Sequence, residues 1–382
     1  MCDLILKGGR LIDPAQSFDG IADICFADGR VVQIGTASVP GPSTEVRDIA
    51  GLIVTPGLID FHTHVYWGGT SLGVAVEPVA RRSGTTTFVD AGSAGPGNFH
   101  GFRRHVIEPS PLRILAYLNI SFAGIYAFGP TIMIGECEDP RLLDLRECVR
   151  IAEQNRDLVL GVKVRVGMDT SGGMGLAPLD MAIEAAEALD LPVMAHLDSP
   201  PPSRREVMDR LRPGDIITHC FRPFPNAPLG PRREVRQEIF EARRRGVIFD
   251  LGHGAGSFAF DTARGMLDAG FLPDVLSSDI HSLSVNGPAF DILSIMSKFL
   301  CLGVGLNDLI RSATAAAALA MRRSDLGTLT PGSTGDAAIL RVEEGEFDFV
   351  DTVGERLRGT RRFALHGMVV GGRWCEPETS FA

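Results

Sequence analysis

The sequence predicts a (β/α)8 barrel carrying a small β-sandwich domain assembled from both chain ends. Three observations predict it: short apolar strands alternate with amphipathic helices through the middle of the chain, both ends are rich in strand and tight-turn signals, and histidines recur where central strands finish. The small domain is expected over residues 1–56 and 326–382, and the barrel over 57–325.

At the N-terminal end, Leu4-Ile5-Leu6, Asp23-Ile24-Cys25-Phe26 and Val31-Val32-Gln33-Ile34 read as strands, and Asp28-Gly29 reads as the hairpin turn between the last two. Asp336–Val342 and Met368–Val370 share that texture. Chain ends commonly lie close together in a folded domain, so the two groups are assigned to one unit. In the middle, strands are expected at Leu58–His64, Thr86–Ala91, Ile114–Ile120, Leu158–Val166, Pro192–Leu197, Asp215–Cys220, Val247–Gly252 and Val275–Asp279. Helices are expected between them, among others at Arg141–Asn155, Leu179–Leu189, Arg233–Arg245 and Phe290–Leu300. Helical crossovers of this length imply parallel strands, and eight such units suit a closed barrel. An open doubly wound sheet is the competitor, but no Gly-x-Gly-x-x-Gly turn opens a helix here.

The net charge of −10 over 382 residues argues against nucleic acid or an anionic membrane as the partner. No apolar stretch approaches the ~20 residues that span a bilayer, and the N-terminus shows no basic start followed by a long apolar run. Seven scattered cysteines without a Cys-x-x-Cys pair favour reduced thiols and a cytoplasmic location. A small-molecule substrate and a homo-oligomer, the latter suggested by the apolar stretch Ala313–Met321, complete the expected partners.

The chemistry concentrates at strand ends. His62 and His64 finish the first barrel strand, two apart and therefore on one side of an extended chain. Lys163 lies in the fourth strand, His196 and His219 end the fifth and sixth, and Asp279 ends the eighth. Any one of these histidines alone is as well explained by a core imidazole bonded to a carbonyl; the whole set at barrel strand ends is not. Neutral imidazoles with carboxylate oxygens suit zinc and related divalent ions. Two such ions side by side need anionic bridges. A buried lysine loses its proton through desolvation, and the free amine can add carbon dioxide to become a bridging carbamate.

In this order His62-Thr63-His64, Lys163, His196, His219 and Asp279 resemble the binuclear metal branch of the amidohydrolase superfamily. The segments 8–13 and 51–60 are similar to that superfamily's entry segments, and 329–338 to its exit. Gly252–Phe258 and Ser278–His281 look most like its amidohydrolase/deacetylase group, often labelled dihydroorotase-like. The resemblance implies two divalent metal ions, zinc foremost, with His62, His64 and Asp279 on one, His196 and His219 on the other, and N6-carboxylysine at Lys163 between them. It implies Asp279 as the catalytic residue that moves the proton, and hydrolysis of an amide or ester of an acylated small molecule, such as an N-acyl amino acid or an O-acyl hydroxy acid. Tyr66 and His253 are the expected substrate contacts, with His281 in a supporting role and Arg165 and Arg222 either holding a substrate carboxylate or pairing at the surface. Dihydroorotases bind their substrate carboxylate with an arginine soon after His-x-His; His64-Val65-Tyr66-Trp67-Gly68-Gly69 contains none. A cyclic amidase and a non-catalytic scaffold of the same fold are the alternatives.

Overall fold

Seven parallel strands build the curved central sheet: β6 (Leu58–Thr63), β7 (Thr85–Ala91), β8 (Arg113–Asn119), β9 (Val159–Val166), β10 (Val193–Leu197), β11 (Ile216–Ile217) and β12 (Ile248–Phe249), each hydrogen-bonded to the next in chain order. The structure is a computed structural model and describes residues 2–36 and 39–377. The expected eighth strand is not a regular strand. Segment 275–280 touches β12 through an Asp250–Val275 bridge and β6 through a Thr63–Ile280 bridge, and so closes the barrel. Backbone bonds run along both sides of this segment, from Leu251 N–H to Val275 and Gly254 N–H to Ser278 and, across the other edge, from Asp279 N–H to His62 and His64 N–H to Ile280, and side chains reinforce them. The Asp60 carboxylate accepts from the Ser278 backbone N–H (2.9 Å) and hydroxyl (2.5 Å), and Asp250 accepts from the Ser277 hydroxyl (2.5 Å).

The helices α1 (Val76–Ser83), α2 (Phe99–Phe102), α3 (Leu145–Gln154), α4 (Ala177–Leu189), α5 (Arg204–Arg210), α6 (Gln237–Arg245), α7 (Phe260–Asp268), α8 (Ile292–Cys301), α9 (Leu306–Ser312) and α10 (Ala315–Ala320) complete the barrel region. Two, α3 and α6, begin a full turn later than their apolar periodicity suggests. Pro140 opens a separate short turn, and α3 starts only where the Asp144 carboxylate caps the Glu147 N–H at 3.1 Å. Arg233 adopts φ +65°, which no α-helix tolerates, so α6 begins at Gln237. In the apolar stretch around α10, Ala317, Ala318, Ala320 and Met321 pack with Ile59, Phe61, Tyr117, Met194 and Ile216, sealing one end of the barrel, while Leu319 stays exposed.

The flanking strands are β1 (Leu4–Asp13), β2 (Phe18–Ala27), β3 (Arg30–Gly35), β4 (Glu45–Asp48), β5 (Ile53–Pro56), β13 (Ala337–Val350), β14 (Arg356–Val370) and β15 (Arg373–Cys375). They form one sheet in the order β15-β14-β13-β5-β1-β2-β3, with β4 also on β1, so both chain ends do share a unit. Its apolar residues, among them Leu4, Leu11, Phe26, Val54, Ala337 and Val369, make a core separate from the barrel's. Asp28 and Gly29, at φ +50° and +73°, form the expected turn between β2 and β3. The β13–β14 hairpin is far longer than its apolar segments indicate, because its outer half carries charged cross-strand pairs such as Glu343–Arg362. It lies against α8, where the Ser297 hydroxyl accepts from the Phe363 N–H at 2.9 Å.

One cysteine expectation is corrected. Cys2 and Cys25 form a disulfide, because Cys2 leads into β1 and Cys25 lies on the adjacent antiparallel β2, which brings their Cα atoms to 5.7 Å. Cys137, Cys148, Cys220, Cys301 and Cys375 are free thiols. Among the described residues no helix is long and apolar enough to cross a membrane.

Asp13 joins the two ends of the chain. Its buried carboxylate accepts from the Ala15 N–H, the Gln16 amide, the Thr328 hydroxyl (2.9 Å) and the Leu329 N–H (2.7 Å). Replacing Asp13 with alanine leaves the Leu329 N–H buried without an acceptor. The unfolding free energy from urea titration is expected to fall by about 2–3 kcal/mol.

Candidate metal centre

The barrel's open end holds a cavity of about 570 Å³, lined by His62, His64, Lys163, His196, His219 and Asp279 together. All six expected metal-site residues therefore converge, from β6, β9, β10 and the segments following β11 and β12. The sequence argument for His62 and His64 holds at their positions but omits a detail. Ile59 and Phe61 pack into the barrel interior, so strict alternation would turn His62 outward; a register shift between Asp60 and Thr63 brings both imidazoles to the cavity instead.

The imidazoles are oriented by bonds on their far nitrogens. His62 Nδ1 meets the Thr218 hydroxyl at 2.8 Å and Asp250 Oδ2 at 3.0 Å, His64 Nδ1 meets Ser93 Oγ at 2.9 Å, and His219 Nδ1 meets the Gly252 carbonyl at 2.7 Å. A histidine anchored through Nδ1 presents Nε2 as a ligand atom. His62 Nε2 and His64 Nε2 lie 3.5 and 3.2 Å from Asp279 Oδ1, a set compact enough to hold one ion. The His219 ring sits between the others, its centroid 5.1 Å from His62 and 4.5 Å from His196.

Burial sets the charge states. Desolvation first, and the Lys163 cation after it, drives His62 well below its ordinary pKa. Burial does the same to His196 and His219, which also repel one another's charge or that of His62, and takes His64 down to about 3. All four are thus neutral at physiological pH, the form that binds a metal. Burial also pushes the Lys163 ammonium down to about 8, and its Nζ has no hydrogen-bond partner. An unpartnered buried amine surrounded by neutral imidazoles is a poor structural element and a good anchor for an added group. The donor set of His62, His64 and Asp279 fits a divalent cation, with His196, His219 and Lys163 lining the same cavity. Two of the candidate ligands also hold left-handed backbone, His219 at φ +59° and Asp279 at φ +48°, strain of the kind that collects at functional sites.

The two expected substrate contacts are not brought to the cavity. The Tyr66 ring packs on Phe102 with centroids 4.7 Å apart, and its hydroxyl donates to the Asn98 carbonyl. His253 turns behind its own loop, where its ring stacks on Phe258 at 4.6 Å and Nε2 accepts from Lys298 Nζ at 2.8 Å. His281 lines the cavity, with its ring centroid 6.1 Å from that of His64. Arg165 also lines it but is paired through two hydrogen bonds with the buried Glu136, and Arg222 donates to the Leu197 carbonyl. Sequence reasoning overlooked Asp250 and Thr218, which orient His62, and Ser93, which orients His64. Asp250 lies within the expected seventh strand, so its position was a usable signal.

No family model matches the chain. A deacetylase of Agrobacterium fabrum is 32% identical over 348 residues, covering 90% of this chain and 84% of that protein. A deacetylase of Brucella anthropi is 32% identical over 358 residues, covering 92% and 87%. Among solved structures, one described as a dihydroorotase superposes with a TM-score of 0.89 at 29% identity, over 98% of this chain and 99% of that one. Another, described as an adenine deaminase, gives 0.91 at 25% identity over 98% and 100%.

Gly254 presses against the centre: at φ +53°, it leaves no room for a Cβ, which would collide with Asp279 Oδ2. Gly254→Ala should displace that carboxylate. Divalent-ion affinity, measured by competition with a chromogenic chelator, is expected to fall roughly ten- to hundred-fold, with circular dichroism unchanged.

Proposed function

The chain belongs to the amidohydrolase superfamily, with full-length relatives among its deacetylases, and we propose that it is a two-metal deacylase of small acylated molecules. It is a metal-dependent hydrolase, and the bond it breaks is an amide or ester. The observation that carries this reading is the grouping of His62 Nε2, His64 Nε2 and Asp279 beside the unpartnered Lys163 amine in one cavity.

In this reading His62, His64 and Asp279 hold one ion, His196 and His219 hold the other, and Lys163 lies between the two sets. Two bound ions would polarise the scissile carbonyl and lower the pKa of an attacking water from 15.7 toward about 7. With its pKa lowered to about 8, Lys163 would offer a fraction of free amine able to add carbon dioxide, forming an N–C bond and releasing one proton to give a carbamate anion. That anion, with Asp279, offsets the cationic charge within the low-dielectric site. Asp279 takes the proton from the attacking water and returns it to the departing nitrogen or oxygen, so that acyl–X plus water becomes carboxylic acid plus H–X. Thr218 and Asp250 keep the His62 ring in place while this happens. Zinc is the cation that this set of imidazole and carboxylate donors suits best.

The cyclic-amidase reading is favoured by one observation, the close superposition on a structure described as a dihydroorotase. Against it stands the sequence after His64, which has no arginine, and the orientation of Tyr66 away from the cavity. Metal-loaded protein assayed against N-acyl amino acids, O-acyl hydroxy acids and cyclic amides decides between them. Turnover of the open-chain acyl compounds is expected; turnover of cyclic amides alone would overturn the deacylase assignment.

Elemental analysis should find two divalent ions per chain, by the donor count above. Lys163→Ala is expected to lose at least one of them and to lower turnover by roughly a thousandfold or more, since it removes the anion between two cations. Wild-type activity in that variant would refute the bridge.

A further inference from the structure

A second cavity, of about 990 Å³, lies outside the metal centre between the start of α5 and the loop 223–236. Four arginines line it, Arg204, Arg205, Arg233 and Arg236, against two carboxylates, Glu238 and Asp261. Three of the arginines are satisfied. Arg205 pairs with Glu238 and Glu241 at 3.3 Å, Arg233 pairs with Asp261, and Arg236 donates to the Ala227 carbonyl at 3.0 Å.

Arg204 is different. Its residue is only 4% exposed, and among the described residues it forms no salt bridge and its Nε and Nη2 have no hydrogen-bond partner. Burial takes its pKa down to about 9, Arg222 and Arg236 pushing the same way against the pull of Cys220 and Glu238, which leaves it protonated at neutral pH. Arg222, in the wall of the metal cavity, likewise has an unpartnered Nε. A buried guanidinium beside a like charge is costly unless an anion compensates it. Its planar fork of N–H donors suits the oxygens of a carboxylate or phosphate.

We propose that this cavity is an anion-binding site, distinct from the metal centre, in which Arg204 holds the carboxylate or phosphate group of a small molecule. The site goes beyond the deacylase reading and does not depend on it. The surplus of arginine over acid along the lining gives the cavity a positive potential, and the exposed Phe224 and the prolines 200, 223, 225 and 231 supply apolar walls for the rest of such a ligand.

Calorimetric titration of the metal-loaded protein with inorganic phosphate, and separately with acetate, tests the proposal in wild type and in Arg204→Met. Any anion taken up at the metal centre is common to both proteins, so the difference isolates Arg204. Wild type should show a binding event that Arg204→Met loses or weakens about ten- to hundred-fold. The variant should melt no lower than wild type without added anion, because it removes an uncompensated buried charge. Binding of phosphate alone would assign the site to phosphate esters, and binding of both would admit carboxylates. No binding by wild type, or identical titrations in the two proteins, would overturn the proposal. Should Arg204→Met fail to fold, Arg204→Lys keeps the charge without the fork; weakened binding would support the site, and wild-type binding would refute it.

Discussion

Two buried carboxylates clamp the closing seam of this barrel. Beside the backbone bonds that tie segment 275–280 to residues 62–64 and 249–254, Asp60 grips the N–H and hydroxyl of Ser278 and Asp250 grips the hydroxyl of Ser277. Those bonds hold segment 275–280 between β6 and β12, and the next residue along is Asp279. Asp250 reaches His62 and Thr218 as well, so one carboxylate sets the barrel seam and the orientation of a metal-site imidazole. Burial pushes Asp60 up to about 7 and Asp250 up to about 6, against the pull of their serine and threonine donors. The site is thus not an addition to a finished barrel; the seam of the barrel is part of it.

The same low dielectric shapes the reactive groups. Four imidazoles crowd within one cavity because desolvation keeps them uncharged; as imidazolium ions they would repel each other and Lys163. The lysine is driven toward the free amine by the same force. A core made only of these groups would be badly satisfied, and that is the physical argument for ions in the cavity. Cationic charge there needs anions near it, a role open to Asp279 and, if carboxylated as proposed, to Lys163. Bonds from Ser93, Thr218 and the Gly252 carbonyl aim the rings in advance, so little reorganisation would accompany ion binding.

The strands were legible wherever apolar runs stood between turn signals, and the six converging residues were legible because five lie where barrel strands were expected to end and Lys163 lies within the fourth. What escaped depends on interactions distant in sequence. Nothing in the sequence around Val275–Asp279 says that Ser277 and Ser278 bond to the side chains of Asp250 and Asp60. The outer half of the β13–β14 hairpin reads as charged loop until Glu343 is seen opposite Arg362. Tyr66 and His253 sit near ligands in the chain, but side-chain direction is set by local turns and by what lies behind them: Phe102 and the Asn98 carbonyl draw in one, and Lys298 and Phe258 the other. The Cys2–Cys25 pairing needed the β1–β2 register. Arg204 carries no motif at all; only its burial without a partner marks it.

The central claim is a pair of divalent ions flanking Lys163 at the seam of the barrel. Anomalous diffraction from crystals of the zinc-loaded protein, collected above and below the zinc absorption edge, tests it most directly. The account predicts two anomalous peaks, one among His62, His64 and Asp279 and one at His196 and His219, with continuous density extending from Lys163 Nζ between them. A fully loaded crystal with no peak in this cavity, or with peaks only elsewhere, would contradict it.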